Sequence, residues 1–209
     1  QMLNDESVTK SPSMLQHLGG VINDESNRLR FLVEKVLQMS MFDRKQATFK
    51  KKELDLNELL ETIASSFTLR VEHTGGKIYT EIEAVDSAIF VDEVHFQNAI
   101  TNLMDNAVKY RKPEEPLDIY IRTWNEKDHL CFSIRDTGLG IKKENVRKIF
   151  DKFYRVHTGN VHDVKGFGLG LAYVKKIITL HEGEIKCESE LGKGTTFTIK
   201  LPLLKEDKS

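Results

Sequence analysis

Between Met14 and about Arg44 the apolar residues recur with a helical period. Leu15, Ile22, Leu29 and Val36 stand seven residues apart, Leu18, Leu32 and Met39 fill the interleaved position, and Glu25 breaks it once. Val33 and Leu37 widen the stripe, so the pattern predicts a long coiled-coil-like helix whose seam needs a partner helix. The alternative is a helix folded back onto its own domain. Ser11-Pro12 supplies an N-cap and a first helical position, while Gly19-Gly20 weakens the helix by roughly 1 kcal/mol each. From Arg44 to Lys52 the chain is basic and aperiodic, and reads as a linker. The expected division is a helical segment over 1–47 and a domain over 48–209.

In the second part the periods alternate. Asp55 with Glu58 forms a capping-box-like start, and Leu56, Leu59, Leu60, Ile63 and Phe67 give one apolar helix face. After the Gly75-Gly76 turn, Ile78, Thr80 and Ile82 alternate as a strand, and Ala88 to Val91 is another. Asp92 caps a helix that buries Phe96, Ala99, Ile100, Leu103 and Ala107. Strands follow at Leu117–Trp124 and His129–Arg135, then a short helix from about Lys143 to Phe150. A helix opened by Gly166–Gly170 turns Leu171, Val174, Ile177 and Ile178 inward. Strands at Glu184–Ser189 and Thr195–Leu201 flank the turn Gly192-Lys193-Gly194.

Composition narrows the class. The 209 residues are 39% hydrophobic and 30% charged, which suits a soluble globular chain. Lys plus Arg is 31 against 32 for Asp plus Glu, so no global charge draws it to nucleic acid or an anionic membrane. No apolar run is long enough to span a bilayer. Cys131 and Cys187 lie far apart in strand-like runs and read as apolar filler. No Cys/His cluster has zinc spacing, and His73, His95, His129, His157, His162 and His181 read as surface or lid residues.

Three stretches carry candidate chemistry. Asp136-Thr137-Gly138-Leu139-Gly140 puts an acceptor-only carboxylate beside glycines that let a flat ligand approach the backbone. Asn98, Asn102 and Asn106 recur every four residues on one helix face, against helix propensity. They form either a solvated polar stripe or a set of neutral amide oxygens that suits a Mg²⁺ also bound to phosphate. Gly166-Phe167-Gly168-Leu169-Gly170 opens a helix and can offer free N–H groups to phosphate oxygens. Leu171-Ala172 in place of Lys-Ser/Thr excludes a P-loop, and the glycine spacing excludes a dinucleotide fingerprint. The His-Arg-Asp and Asp-Phe-Gly strings of eukaryotic-type protein kinases are absent. The ten residues 156–165 read as a lid.

Taken in order, these stretches resemble the ATP-binding domain of sensor histidine kinases, in the superfamily shared with Hsp90, type II topoisomerases and MutL. Asn102–Tyr110 resembles the N box, Asp136–Gly140 the G1 box and Phe150–Arg155 the F box. Gly166–Leu171 resembles the G2 box, and Gly192–Phe197 the last glycine turn. The resemblance implies an α+β fold, a two-layer α/β sandwich with helices on one face of a mixed sheet. It also implies ATP and Mg²⁺ as cofactors, with Asn106 and Asn102 holding the metal. Lys109 would pair with phosphate, Tyr110 would pack on adenine, and Asp136 would accept from the adenine 6-amino group. Guanine offers an acceptor oxygen there, so ATP is favoured over GTP. Gly138, Gly140 and Ile141 would shape the adenine pocket, and Lys152 and Arg155 would steady the lid or the γ-phosphate. Gly166, Phe167, Gly168, Leu169, Gly170 and Leu171 would line the triphosphate side, and Thr196 would touch the base through water.

The resemblance also implies phosphoryl transfer to a histidine followed by an acidic residue and, five places on, a proline. Ser7, Val108, Arg111 and Phe197 stand five places before the prolines, so no such histidine is present, and His17 reads as a helix-surface residue. The first helix therefore resembles only the second dimerisation helix. The acceptor, and any membrane-anchored sensing part, are expected upstream. The chain is then expected to bind ATP without labelling itself. It would be the cytoplasmic portion of an inner-membrane receptor that works as a homodimer with a response regulator receiver domain, and not with nucleic acid. Two other classes stay open: a nucleotide-binding docking module without turnover, and an ATPase of the Hsp90/MutL branch.

Overall fold

A computed structural model describes residues 14–16, 18–23, 25–26, 29–30, 33, 36, 49–156 and 167–204. The chain separates into two compact units, Gln1–Ala47 and Thr48–Ser209.

Every described residue of the first unit is α-helical. Along its apolar stripe Leu15, Ile22, Leu29, Val33 and Val36 are between 39% and 56% exposed. Within one chain these side chains keep much of their surface in water. Leu32, Leu37 and Met39, which belong to the same stripe, lie outside the described residues.

In the second unit the elements run β1 (Lys51–Asp55), α1 (Leu56–Glu72), β2 (Ile78–Ile82), β3 (Ala88–Asp92), α2 (Glu93–Lys109), β4 (Ile119–Glu126), β5 (His129–Asp136), α3 (Lys143–Val146), α4 (Gly170–Leu180), β6 (Glu184–Glu190) and β7 (Gly194–Pro202). The caps expected from the sequence form. Asp55 accepts from the Glu58 N–H at 3.1 Å, and Asp92 from the His95 N–H at 3.1 Å; each satisfies one of the donors a helix start leaves open.

Five strands make the main sheet in the order β2-β4-β5-β7-β6. β2 runs parallel to β4, and the remaining pairs are antiparallel. Alternation sends one side of each strand inward. Ile119 and Ile121 of β4, Leu130, Phe132 and Ile134 of β5, and Phe197, Ile199 and Leu201 of β7 are buried. Helices α1, α2 and α4 cover that face with Leu60, Phe67, Phe96, Leu103, Val174 and Ile177. Phe96 and Phe132 meet edge to face at 6.4 Å across the layers, and burying each such side chain contributes about 1.5–3 kcal/mol. This is the expected two-layer α/β sandwich with a mixed sheet.

The linker reading needs correcting at its end. Lys51 and Lys52 belong to β1, which pairs antiparallel with β3 in a separate two-stranded sheet. The ladder partner lies about forty positions downstream, so local periodicity carries no sign of it. The short helix is also briefer than expected: α3 has no side-chain cap and gives way to turns after Val146. His181 is not a surface residue. It is 4% exposed, accepts the Asp92 N–H on Nε2 at 2.9 Å and contacts the Ile177 carbonyl through Nδ1 at 2.8 Å.

The β6–β7 turn ties this frame to the loop after β5. Gly194 has φ +110, and a Cβ there would stand 1.9 Å from the Asp136 carbonyl oxygen. Gly192 has φ +83 with nothing within 4 Å. Gly192→Ala is therefore expected to cost about 1 kcal/mol for the backbone conformation alone. Gly194→Ala, which adds a clash with backbone, is expected to cost about 2–4 kcal/mol. Urea unfolding of the two variants side by side checks the difference.

Candidate functional site

The C-terminal end of α2, the loop after β5, the β6–β7 turn and the start of α4 converge on one cleft. It is concave and mostly apolar, with a few converging polar groups, as small-molecule sites are. Leu139, Ile141, Ile149, Leu171 and Phe197 make apolar walls. Asp136 and Thr195, paired across the β5–β7 ladder, occupy the sheet end. Asn106, Tyr110 and Arg155 also line it, with Gly140, Tyr154 and Val156.

Backbone contacts hold the Asp136 loop from two sides. On one, Leu139 N–H donates to the Tyr110 carbonyl at 2.9 Å, and a Cβ on Gly138 would stand 2.6 Å from that same oxygen. On the other, Gly192 N–H donates to the Leu139 carbonyl at 2.7 Å. Gly140, at φ +67, sits where a Cβ would be 2.0 Å from the Glu190 carbonyl oxygen. Ile141 N–H donates to Ser189 Oγ at 2.8 Å. The glycines are thus required by close backbone approach and not only by turning.

The Asp136 carboxylate is consequently fixed in a partly dehydrated place. Burial pushes its pKa up to about 6, against the pull of the Gly138 and Thr195 N–H groups and of Arg135. Only the Gly138 N–H makes a short bond, 2.8 Å to Oδ1. Near the α2 end the charge has the opposite sign. Burial, and then the nearby Arg155 guanidinium, hold the Lys109 ammonium below its ordinary value, with Asp105 opposing. Burial raises the Tyr110 phenol, again with Arg155 opposing. Two cations close enough to repel make a place that favours an anion.

Gly170 opens α4 against α2, where a Cβ would meet the Asn102 Oδ1 at 3.2 Å. Gly168, at φ +71, lies against the backbone of Phe153 and Tyr154, and the Phe153 N–H donates to its carbonyl at 2.9 Å. Phe153 itself has φ +65, a conformation that a bulky side chain seldom adopts.

Of the residues expected from sequence, the cleft gathers Asn106, Tyr110, Asp136, Gly140, Ile141, Arg155 and Leu171. Gly138 and Leu169 are buried beside it. Asn102 faces Gly170, with its Nδ2 bonded to the Asn98 carbonyl at 2.7 Å. Lys109, Phe167 and Gly168 stand outside the lining, Lys152 is exposed on the turn before Tyr154, and Gly166 lies outside the described residues. Thr196 is a correction. β7 turns Thr195 and Phe197 inward, and Thr196 lies on the opposite sheet face with Arg122, Trp124, Ser133 and Thr198. Period-two alternation with Phe197 in the core was the signal that marks Thr195. Tyr154, inside the stretch that resembles the F box, also lines the cleft, and its hydroxyl donates to Asn145 Oδ1 at 2.8 Å. No group of three or more His, Cys, Asp or Glu among the described residues could hold a metal ion by itself. No described helix is long and apolar enough to cross a membrane.

Asp136 makes a signed pH prediction. Its folded pKa of about 6 lies above the ordinary 3.8, so the folded state holds the proton more tightly than the unfolded one. The resulting stability is full below about pH 4 and is lost as pH rises through 6. Asp136→Asn keeps a neutral acceptor for the Gly138 N–H at every pH. At pH 7.5 the variant is expected to be more stable than the parent, by up to about 3 kcal/mol. The gap is expected to close below pH 4, and denaturant melts across that range check it.

A family profile described as histidine kinase-, DNA gyrase B- and HSP90-like ATPase matches residues 91–205. The sensor protein RprX of Bacteroides fragilis strain YCH46 is 65% identical over 99% of this chain, which spans 40% of RprX. Full-length ShkA in complex with AMPPNP superposes with a TM-score of 0.77 at 22% identity, over 94% of this chain and 40% of that one. Histidine kinase ThkA in complex with the response regulator protein TrrA gives 0.71 at 22% identity, over 97% and 56%. At such identities the two structures show the fold. The profile covers more than half of the chain, which therefore belongs to the histidine kinase-, DNA gyrase B- and HSP90-like ATPase family.

Proposed function

We propose that this chain is the ATP-binding catalytic part of a sensor histidine kinase, passing the γ-phosphoryl group of Mg-ATP to a histidine on another segment. The observation that carries the reading is the underpaired Asp136 carboxylate, held in an apolar cleft that also gathers Asn106 and Arg155. A carboxylate there accepts from an exocyclic amino group and disfavours a carbonyl. Leu139, Ile141, Ile149 and Phe197 provide apolar surface for a flat base, and Tyr110 adds an aromatic ring.

The donor set fits a magnesium ion held jointly with phosphates. Mg²⁺ takes oxygen ligands and keeps several waters, and Asn106, whose side chain carries a neutral amide oxygen, lines the cleft. Held there by Asn106, the ion would supply positive charge against that of the phosphates. Asn102, whose Oδ1 meets the start of α4 at Gly170, is the second candidate ligand. Lys109 and Arg155 set positive charge where the polyphosphate would lie. The first turn of α4 reaches the cleft through Leu171, and the N–H groups at a helix start suit phosphate oxygens. Gly168, Leu169, Gly170 and Leu171 would form that wall, with Phe167 and Lys152 beside it; Gly166 is assigned to the same wall from the sequence alone. The protein's share of catalysis is positioning and charge neutralisation. The base and phosphate subsites fix the nucleotide, and the attacking imidazole comes from outside the cleft.

Segment 1–47 is assigned as the part that carries the second dimerisation helix. Its exposed stripe of Leu15, Ile22 and Leu29 supports homodimer formation in the whole protein. RprX is named a sensor protein, and this chain spans two fifths of its length. Receptor parts anchored in the inner membrane, and a response regulator receiver domain as phosphoryl acceptor, complete the reading. A complex of that kind is described for ThkA.

Two measurements test it. Titration calorimetry is expected to show Mg-ATP binding that weakens at least about tenfold in Asn106→Ala and in Asp136→Asn. Mixing with a separate helical segment bearing an acceptor histidine is expected to label that segment from γ-labelled ATP, and to leave this chain unlabelled. Hydrolysis with no phosphoprotein would instead favour the ATPase branch of the family.

A further inference from the structure

Ser189, at the end of β6, has three polar neighbours. The Ile141 N–H donates to its Oγ at 2.8 Å. The Gly194 carbonyl oxygen lies 2.8 Å away, and Thr195 Oγ1 lies 2.9 Å away. A hydroxyl has one proton and two lone pairs. A carbonyl only accepts, so the Ser189 proton goes to Gly194. The Ile141 N–H takes one lone pair. The Thr195 contact is then a hydrogen bond only with Thr195 as donor to the other. This is the one assignment that makes all three contacts hydrogen bonds, and it saturates Ser189.

The consequence falls on Thr195, which is buried, lines the cleft and pairs with Asp136 across the ladder. With its only proton committed to Ser189, Thr195 keeps lone pairs alone for the cleft. The ionised Asp136 carboxylate beside it also only accepts. That end of the cleft therefore presents acceptors and no hydroxyl donor.

We propose that Ser189 is a specificity-determining residue that acts through Thr195: by holding the Thr195 proton it makes the base subsite select a 6-amino purine over a 6-oxo purine. Ser189 stands outside the cleft lining, so it positions a proton and does not touch the base. The proposal rests on the reading of the cleft as an adenine-nucleotide site.

The test compares Mg-ATP with Mg-ITP, whose base carries oxygen at position 6, by titration calorimetry on the full chain. In Ser189→Ala the Thr195 proton is free to turn into the cleft and donate. The ratio of the ITP to the ATP dissociation constant is expected to fall about fivefold, chiefly through tighter ITP. A Ser189→Ala variant that loses affinity for both nucleotides equally, with the ratio unchanged, overturns the proposal; that is the result of a merely loosened loop. Thr195→Val is the independent arm and stands alone should the serine variant fail to fold. Loss of an acceptor weakens ATP more than ITP, whereas loss of a donor would weaken ITP more and overturn the proposal. Asp136→Asn separates the two levels. If it leaves ATP affinity untouched, the nucleotide reading falls and this inference with it. If it abolishes binding while the serine arm shows no change in ratio, only the role of Ser189 falls.

Discussion

The cleft depends on keeping one carboxylate partly out of water without giving it a full set of partners. An ionised group so placed costs free energy unless something compensates it, and the raised pKa of Asp136 reports that cost. Arg135 immediately precedes it in β5, yet its guanidinium lies over the Tyr120 ring at 5.5 Å, on the outer face of the sheet. A buried arginine against Asp136 would relieve the strain and also fill the acceptor sites. Leaving them largely open gives the domain its capacity to read a donor on a ligand.

Holding a carboxylate in that condition requires a loop that cannot relax. Gly138 meets the end of α2, Gly140 meets the end of β6, and Gly194 meets the Asp136 backbone itself. Each contact is backbone against backbone, where a single methyl group would intrude. Close packing of this kind makes small displacements costly, so the position of Asp136 follows from three separate elements. Ser189 belongs to the same device, because it ties the Ile141 N–H of the loop to Gly194 of the turn.

Much of this was legible in the sequence, and for identifiable reasons. Caps at Asp55 and Asp92, the alternation in β4, β5 and β7, and the apolar faces of α1, α2 and α4 are local patterns, and they fold as the periods indicate. The glycine-rich stretches marked the cleft because close backbone approach admits no other residue. What stayed hidden was non-local. β1 is a strand only because β3 pairs with it. His181 is buried because Asp92, far upstream, donates to its ring. Thr195 and Thr196 are adjacent and identical in type, and only the strand's register decides which faces the cleft.

The two charge signs of the site also bear on each other. Near Asp136 the chain presents acceptors; near the end of α2 it brings Lys109 and Arg155 close enough to repel. A ligand with a donor-bearing flat end and an anionic tail meets both conditions in one orientation, and the reverse orientation meets neither. An anion placed between the two cations would find positive charge from both. A ligand that binds only the folded state stabilises it in turn.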